Sequence, residues 1–532
     1  MRSDADLGPL LESPPPVDSN LLRRLQHMYD AGGWVLLESA IADLPADLRW
    51  LYESDAVSIE QLEAMHRALG ITSVADLALA TDLHRVRTLE GMNESVETAI
   101  RAALPSLRAN LPRIPLGRAA DVAEPLLTRL KATPGVAWTS TAGSLRRGQD
   151  TVGDVEIVAA ADDPAAAIDG LAELPEVSRC LHRSSRRIYL LFERVQVGVR
   201  LPPEKSASAT LLMLTGTRAH TTALRSRADD AGLRLNAEGL FEADGTQLPC
   251  STEDDIYRTL GLPFIPPEIR EGGEELQRAA SGSLPALVAR GDIRGDLHMH
   301  TLWSDGRDTV EAMVDRCAAL GYEYMAITDH SPHSSASRNL TIDGIKRQAD
   351  EIDEIRDRYK PMTILHGCEA DILADGTLDF PDRILERFDI VLASLHEAAG
   401  HSPDQLMRRY VAAMHHPLVT IITHPTNRLV PYRGPYDLDY DRLFETAVET
   451  GTVLEIDGAP AHLDMDGALA RRAIDAGALV SIDSDSHRAE MLDRQMDLGL
   501  TTARRGWVEP RHVVNTRPLA DVRALIDAKR RR

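Results

Sequence analysis

Cysteine is scarce in this chain of 532 residues, and its four copies, Cys180, Cys250, Cys317 and Cys368, are scattered without C-x-x-C spacing. That excludes a disulfide framework and a zinc ribbon and leaves buried thiols as the expectation. A continuous apolar run of about 18 residues, the length that suggests a membrane span, is missing as well. The opening stretch MRSDADLGPLLESPPPVDSN is polar and broken by proline, unlike a signal peptide. A cytoplasmic protein without membrane contact is therefore expected. The third absence is a basic surplus. Lys and Arg number 59 against 82 Asp and Glu, a formal net charge of -23, and cutting at residue 290 leaves 41 acidic and 30 basic residues before it and 41 and 29 after it. Proteins whose main task is gripping duplex DNA carry a basic face. The charge thus speaks against broad, non-specific nucleic-acid binding and leaves room only for a local grip.

What is present divides by pattern. The length exceeds a single ordinary core and predicts several domains. Residues 1–20 have the Pro-rich composition of a disordered leader. Residues 21–110 read as short amphipathic helices, SIEQLEAMHRALG and SVADLALAT among them. Over 111–270 strand patterns (DVEIVAA, RIYLLFE, VQVGVRL) mix with helical ones (AEPLLTRLKAT, AHTTALRSRADDAG) in an α+β core. The stretch PFIPPEIREGGEE closes this part and leads into a linker over 271–290. From 291 to 532 the apolar stretches GDLHMH, YMAITDH, TILHGCEADI, DIVLASLH, VTIITHP, TVLEID and ALVSIDSDSH alternate with helical ones, which predicts a closed or nearly closed parallel barrel.

The chemistry-bearing residues sit at the ends of those strands. His298 and His300, at i and i+2 on an expected strand, point to one face. Six of the seven strands end in a potential ligand: His298 and His300, His330, Glu369, His396, His424, and Asp485 with His487. A parallel barrel brings such ends to one rim, and the loop residue Asp305 completes a set of nine. Singly, each would read as an ordinary cap or surface residue; the convergence carries the reading. Mixed imidazoles and carboxylates suit Zn2+, Mn2+ or Fe2+, and nine donors exceed the needs of one ion, so two or three divalent ions are expected. His333, His401, His415, His416 and His462 fit no strand end and read as surface residues or as outer support.

On these motifs residues 294–515 resemble the polymerase and histidinol phosphatase (PHP) superfamily, a distorted seven-stranded (β/α) barrel with a trinuclear metal site. The resemblance implies one ion on His298, His300, Glu369 and Asp485, a second on His396 and His424 bridged by Glu369, and a third on Asp305, His330 and His487. One departure is APAHLDMD, where the family often has an arginine near His462. Such a site supports phosphoester hydrolysis, because clustered divalent ions activate water and stabilise the attacking and leaving oxygens. Glu369 and Asp485 then stand at the reacting centre. Arg428 in THPTNRL, and Arg433, are candidate phosphate contacts, with an ordinary salt bridge as the equal alternative. Asp483 and Glu397 are candidates for supporting the ligands.

The segment AGSLRRGQDTVGDVEIV pairs a Gly-Ser turn, Gly143 and Ser144, with Asp154 and Glu156 on one strand face, the layout by which nucleotidyltransferases hold Mg2+ against a triphosphate. Residues 111–270 resemble the palm and fingers of a family X DNA polymerase, a family that in bacteria and archaea carries a C-terminal PHP domain. The resemblance implies that Gly143, Ser144 and the arginine after the turn, Arg147, face nucleotide phosphates, with Arg146 a neighbouring basic residue. Two departures stand out: Gly198 stands where the third catalytic Asp belongs, which counts against polymerisation, and Glu156 replaces the second, a change that role tolerates. The helix-hairpin-helix loops are eroded too. ESDAVSIE stands where a glycine-rich turn is expected, EGMNESVE keeps only Gly91, and no hairpin is recognisable before residue 50.

Together these features lead to a PHP-type phosphoesterase that trims DNA 3′ ends as a 3′–5′ exonuclease in repair, attached to a degenerate polymerase core in which Mg2+ binding is doubtful. The open alternatives are a working gap-filling polymerase and a phosphatase of small phosphomonoesters. DNA 3′ ends, and nucleotides at the first half, are the expected partners.

Overall fold

The structure is a computed structural model that describes residues 57–532 apart from 72–73, 111–112, 154, 194, 335, 337 and 397–400. The Pro-rich leader, the hairpin sought before residue 50, Asp154 and Glu397 therefore lie outside the described residues. No described helix is long and apolar enough to cross a membrane. The chain divides into two units. One comprises residues up to Ile114 with Ala119–Arg146 and Val152–Phe264, and the other Pro115–Arg118, Arg147–Thr151 and Ile265–Arg532.

In the first unit, helix α1 (Ile59–Leu69) begins with a reciprocal cap in which Ser58 Oγ accepts the Gln61 N–H and Gln61 Oε1 accepts the Ser58 N–H. It stops at Gly70, whose φ of 60° is the left-handed turn that glycine adopts without a steric penalty. Helices α2 (Val74–Asp82) and α3 (Glu94–Asn110) follow, and Leu62, Met65, Leu77, Val86 and Ile100 from this region share one core. Strands β1 (Val136–Thr141), β2 (Val155–Ala161), β3 (Val177–Ser184), β4 (Arg187–Phe192) and β5 (Val195–Arg200) form a sheet in the order β1-β2-β5-β4-β3. Only β2 and β5 run parallel. The helical region and the mixed region, expected as separate domains, thus fall in one unit where they are described. Cys180 lies on the edge strand β3 and is exposed, against the expectation of four buried thiols; Cys250, Cys317 and Cys368 are buried.

The second unit holds seven parallel strands, β6 (Gly295–Asp296), β7 (Tyr324–Ile327), β8 (Thr363–Asp371), β9 (Ile390–Ser394), β10 (Val419–Ile422), β11 (Val453–Asp457) and β12 (Val480–Asp483), paired in chain order. Their alternation sorts the side chains. Tyr324, Ala326, Leu365, Leu392, Ile421 and Val453 fill the inside together with Val522 and Ile526, while Met325, Ile327, Ile364, Val391, Ile422 and Leu454 join the larger cluster to which the outer helices contribute. The sequence suggested a strand through His300, but regular pairing stops at Asp296 and only Met299 bridges onward, to Ser486. The stretch expected to link the halves is packed instead. Within 271–290, Glu275, Ala279 and Val288 are buried, and the Val288 N–H donates to Val508 O at 2.9 Å.

The sheet order leaves β6 and β12 at its two edges, and Asn515 spans the seam between them. Its Nδ2 donates to Gly295 O at 2.9 Å and Ile482 O at 2.5 Å, and its Oδ1 accepts the Ile482 N–H at 3.0 Å. Asn515 is fully buried, so its loss strands backbone groups away from water. Asn515→Ala is expected to destabilise the barrel by about 2 kcal/mol, the cost of leaving buried polar groups unpaired, read as a lower urea midpoint of the second unit's own transition. An unchanged midpoint would remove Asn515 from the closure.

Candidate metal centre

All nine residues singled out as ligands meet at the C-terminal end of the barrel. Glu369 lies within β8. His330 follows β7, His396 follows β9, His424 follows β10, and Asp485 and His487 follow β12. Two of these loops turn sharply, with His424 at φ 27° and Asp485 at φ 47°, left-handed conformations that non-glycine residues adopt mainly where surrounding structure enforces them.

Glu369 is the hub. Its Oε2 stands 2.7 Å from His330 Nδ1, 3.4 Å from His298 Nε2 and 3.5 Å from His300 Nε2, and its Oε1 stands 3.0 Å from His424 Nε2 and 3.5 Å from His396 Nε2. Asp485 Oδ1 lies 3.0 Å from His300 Nε2 and 3.6 Å from His298 Nε2. Asp305 Oδ1 lies 3.2 Å from His487 Nε2 and 3.6 Å from His330 Nε2. Three ligand clusters emerge: His298, His300 and Asp485; His330, Glu369 and His396; and His300, Asp305, His330 and His487. Against the grouping implied by the PHP resemblance, His330 also sides with Glu369 and His396, and His300 is shared.

The donor set fits divalent cations. Glu369 Oε2 and Asp485 Oδ1 are buried without a hydrogen-bond partner, and the Nε2 atoms of His298 and His300 face each other at 3.1 Å. Electron pairs converging from carboxylates and imidazoles, with few hydrogens to share, match what a bound cation relieves. Burial opposes ionisation of Glu369, yet His330, His396 and His298 together hold its carboxyl well below the usual range. Burial, with His330 and His487 alongside, lowers His300 to about 3, which leaves it neutral with a lone pair to give.

The residues that aim these ligands were not singled out from the sequence. Glu455, inside β11, accounts for the one strand without an assigned ligand. It is fully buried, with Oε1 2.7 Å from His298 Nδ1 and Oε2 accepting the His424 N–H at 2.7 Å. Asp371 Oδ1, 2.9 Å from His396 Nδ1, orients that ring in the same way. Asp483, expected to support the ligands, accepts the Leu297 N–H at 2.8 Å and so holds the segment that carries His298. His462, read as surface or outer support, lines the cavity instead, with its ring centroid 5.5 Å from that of His424. The cavity, about 630 Å³, is also lined by Arg307, Arg488 and Gln495. Arg428 and Arg433 are not among its lining residues. Arg428 is buried and donates to Leu463 O, to His462 O at 3.1 Å and to Asp150 Oδ2 at 2.6 Å, while Arg433 donates to Asn427 O and Oδ1 at 2.7 and 2.8 Å.

In the first unit, Glu156 on β2 pairs in register with Gly198 on β5. Glu156 is buried and its Oε2 accepts from Arg200 Nε at 2.9 Å; Arg200 also pairs with Asp76 of α2, and Asp76 with Arg187 at 2.7 Å. A Cβ on Gly198 would stand 2.6 Å from Glu156 Oε1. The Gly-Ser turn is formed, with Gly143 at φ 62° opening a single helical turn that contains Ser144. Of the arginines after it, Arg146 pairs with Glu253 at 2.6 Å, and Arg147, which belongs to the second unit, pairs with Glu271 at 3.3 Å.

Over 506 residues, 94% of its length, the chain is 35% identical to the DNA polymerase/3′-5′ exonuclease PolX of Bacillus subtilis (strain 168), of which it covers 88%. The chain belongs to the PolX family. Within this PolX-family chain the DNA polymerase beta thumb family model matches residues 210–271 and the PHP domain family model residues 296–438. Shorter similarities run to a probable phosphatase of Syntrophotalea carbinolica, 28% identical over 41% of this chain and 90% of that protein, and to the probable phosphatase TTE1963 of Caldanaerobacter subterraneus, 30% identical over 36% and 75%.

The Glu455 contact makes a specific demand on the PolX-family barrel. A carboxylate on His298 Nδ1 fixes the ring so that Nε2 faces Glu369 and Asp485. Glu455→Gln is expected to lower metal-dependent turnover about 10- to 100-fold, and to weaken Mn2+ binding in calorimetry, with the fold kept. Wild-type metal affinity and rate in that variant would reduce Glu455 to a packing residue.

Proposed function

We propose that this PolX-family chain is a metal-dependent phosphoester hydrolase whose barrel shortens DNA from the 3′ end during repair, and that its first unit does not polymerise. The observation that carries the reading is the Glu369 hub: five imidazoles within 3.5 Å of one buried, ionised carboxylate, with Asp485 and Asp305 beside them. We assign the nine converging residues as ligands for two or three divalent ions, with Mn2+, Zn2+ and Fe2+ all compatible with this donor chemistry. Such ions supply activated water and charge stabilisation at phosphorus. The chain's own part is placement. Glu455 and Asp371 hold His298 and His396 through Nδ1, turning each Nε2 toward Glu369. Burial among the barrel strands excludes bulk water from everything but the cavity.

The silence of the first unit rests on charge. Gly198 offers no ligand, and Glu156 is neutralised by Arg200, a cation already in the position to be balanced. Arg146 and Arg147, engaged by Glu253 and Glu271, are poorly placed to hold a triphosphate while those pairs persist. The similarity to probable phosphatases favours a second reading, in which a small phosphomonoester is the substrate.

The test is Mn2+-dependent degradation of a 5′-labelled, 3′-recessed duplex beside a panel of small phosphomonoesters, with and without nucleotides, using wild type, His298→Ala and Asp154→Ala. The expected outcome is shortening by wild type and Asp154→Ala, none by His298→Ala, and no extension. Extension lost in Asp154→Ala would show a working polymerase. Turnover of phosphomonoesters alone, unaffected by added DNA, would make the barrel a phosphatase.

A further inference from the structure

The cavity over the metal centre carries two cations on its wall, Arg307 and Arg488. They come from adjoining loops, because the Arg307 N–H donates to His487 O at 2.8 Å, which sets the residue two beyond Asp305 against the residue preceding Arg488. Both side chains are exposed. Among the described residues the Arg307 guanidinium has no ion pair or hydrogen bond. Arg488 has one, a 3.3 Å contact with Glu490 Oε1 across a solvent-exposed pair, an interaction of little worth. The arginines that sequence position put forward for phosphate, Arg428 and Arg433, are held by internal acceptors.

The depth of each group says which phosphate it can serve. His330, His424 and Asp485 are buried and line the cavity, with His298 and Glu369 against Asp485 and His424 behind them, so a phosphoryl group reacting there lies inside the cavity. Arg307 and Arg488 stand exposed and line the same cavity, two residues after Asp305 and one after His487. Guanidinium groups match phosphate with a planar fork and stay charged at all working pH values. In a chain of net charge -23 they provide a local cationic edge at the one place where a polyanion must enter.

We infer that Arg307 and Arg488 bind backbone phosphates adjoining the scissile one, and thereby make the barrel prefer a polynucleotide end over a small phosphoester. The inference rests on the nuclease reading above. A small ester places its only phosphorus at the floor and leaves the two arginines idle; a polynucleotide engages both.

The experiment compares KM and kcat for Mn2+-dependent hydrolysis of a single-stranded oligonucleotide and of bis(p-nitrophenyl) phosphate, which has no adjoining phosphate, by wild type, Arg307→Ala, Arg488→Ala, the double variant and the two Arg→Lys variants. Each Ala change is expected to raise the oligonucleotide KM about tenfold, the loss of one charge-assisted contact, with a much smaller change for the aryl ester. The double variant should raise KM further and show a shallower dependence of log KM on log salt, and each Lys variant should recover part of the loss. DNA shortening by wild type with an unchanged oligonucleotide KM in the double variant overturns the inference and leaves the nuclease intact. Equal KM rises on both substrates overturn it too, by placing the arginines on the reacting group. Hydrolysis of the aryl ester with no action on DNA by wild type removes the nuclease reading and the inference together.

Discussion

A buried carboxylate is costly unless its surroundings compensate it, and Glu369 is compensated by imidazoles delivered from four other strand ends. His298 and His300 come from the loop after β6, His330 from that after β7, His396 from that after β9 and His424 from that after β10. Three of those rings are in turn fixed by something else: His298 by Glu455, His396 by Asp371, His424 by a left-handed backbone turn. The barrel therefore supplies more than a scaffold of strands. Its parallel order puts every strand end at one rim, and the inward carboxylates of β8 and β11 convert that rim into a set of rings with defined orientation.

Much of this was legible in the sequence, for a physical reason. Parallel strands buried on both faces read as short apolar runs, and a polar residue just after such a run has nowhere to go but the rim, so His330, His396, His424 and Asp485 announce themselves by position. Glu455 does not, because a carboxylate inside a strand looks like any other inward or outward residue until its partner His298, 157 positions away, is known. Arg428 misleads for the same reason. It sits in a loop beside His424, but its guanidinium is claimed by Asp150, 278 positions earlier. The HxH stretch was read as strand on alternation alone, and the pairing ends sooner because the loop must bring His300 N–H to Ser486 O at 2.9 Å.

The first unit is held in part by a buried network of ion pairs around Glu156. Arg200 is deeply buried, and although burial opposes its charge, Asp76 and Glu156 keep it firmly protonated. Arg187 adds a second cation and Asp76, on α2, lies between the two. A buried network of this kind holds only while its signs balance, since removing one partner leaves another charge uncompensated. A carboxylate at position 198 would bring its Cβ to 2.6 Å from Glu156 Oε1 and add negative charge where the balance is already met. Glycine at position 198 is thus a residue that the ion pairs around it can accommodate.

The Asn515 seam bears on the order in which the molecule is made. Every candidate ligand of the metal centre has been synthesised once His487 is joined to the chain, yet Asn515, whose side chain bonds both β6 and β12, comes later. Joining the first strand to the last closes a loop of nearly the whole barrel, the most entropically expensive contact in it. His298 and Asp485 come from opposite sides of that closure. A nascent chain stopped between these two points would carry all nine donors and the contacts of Leu297 and His300 with Asp483 and Ser486, but not the Asn515 stitch between its edge strands. Competence for metal would then be acquired late in synthesis, as a property of the closed ring of strands and not of the ligand motifs themselves.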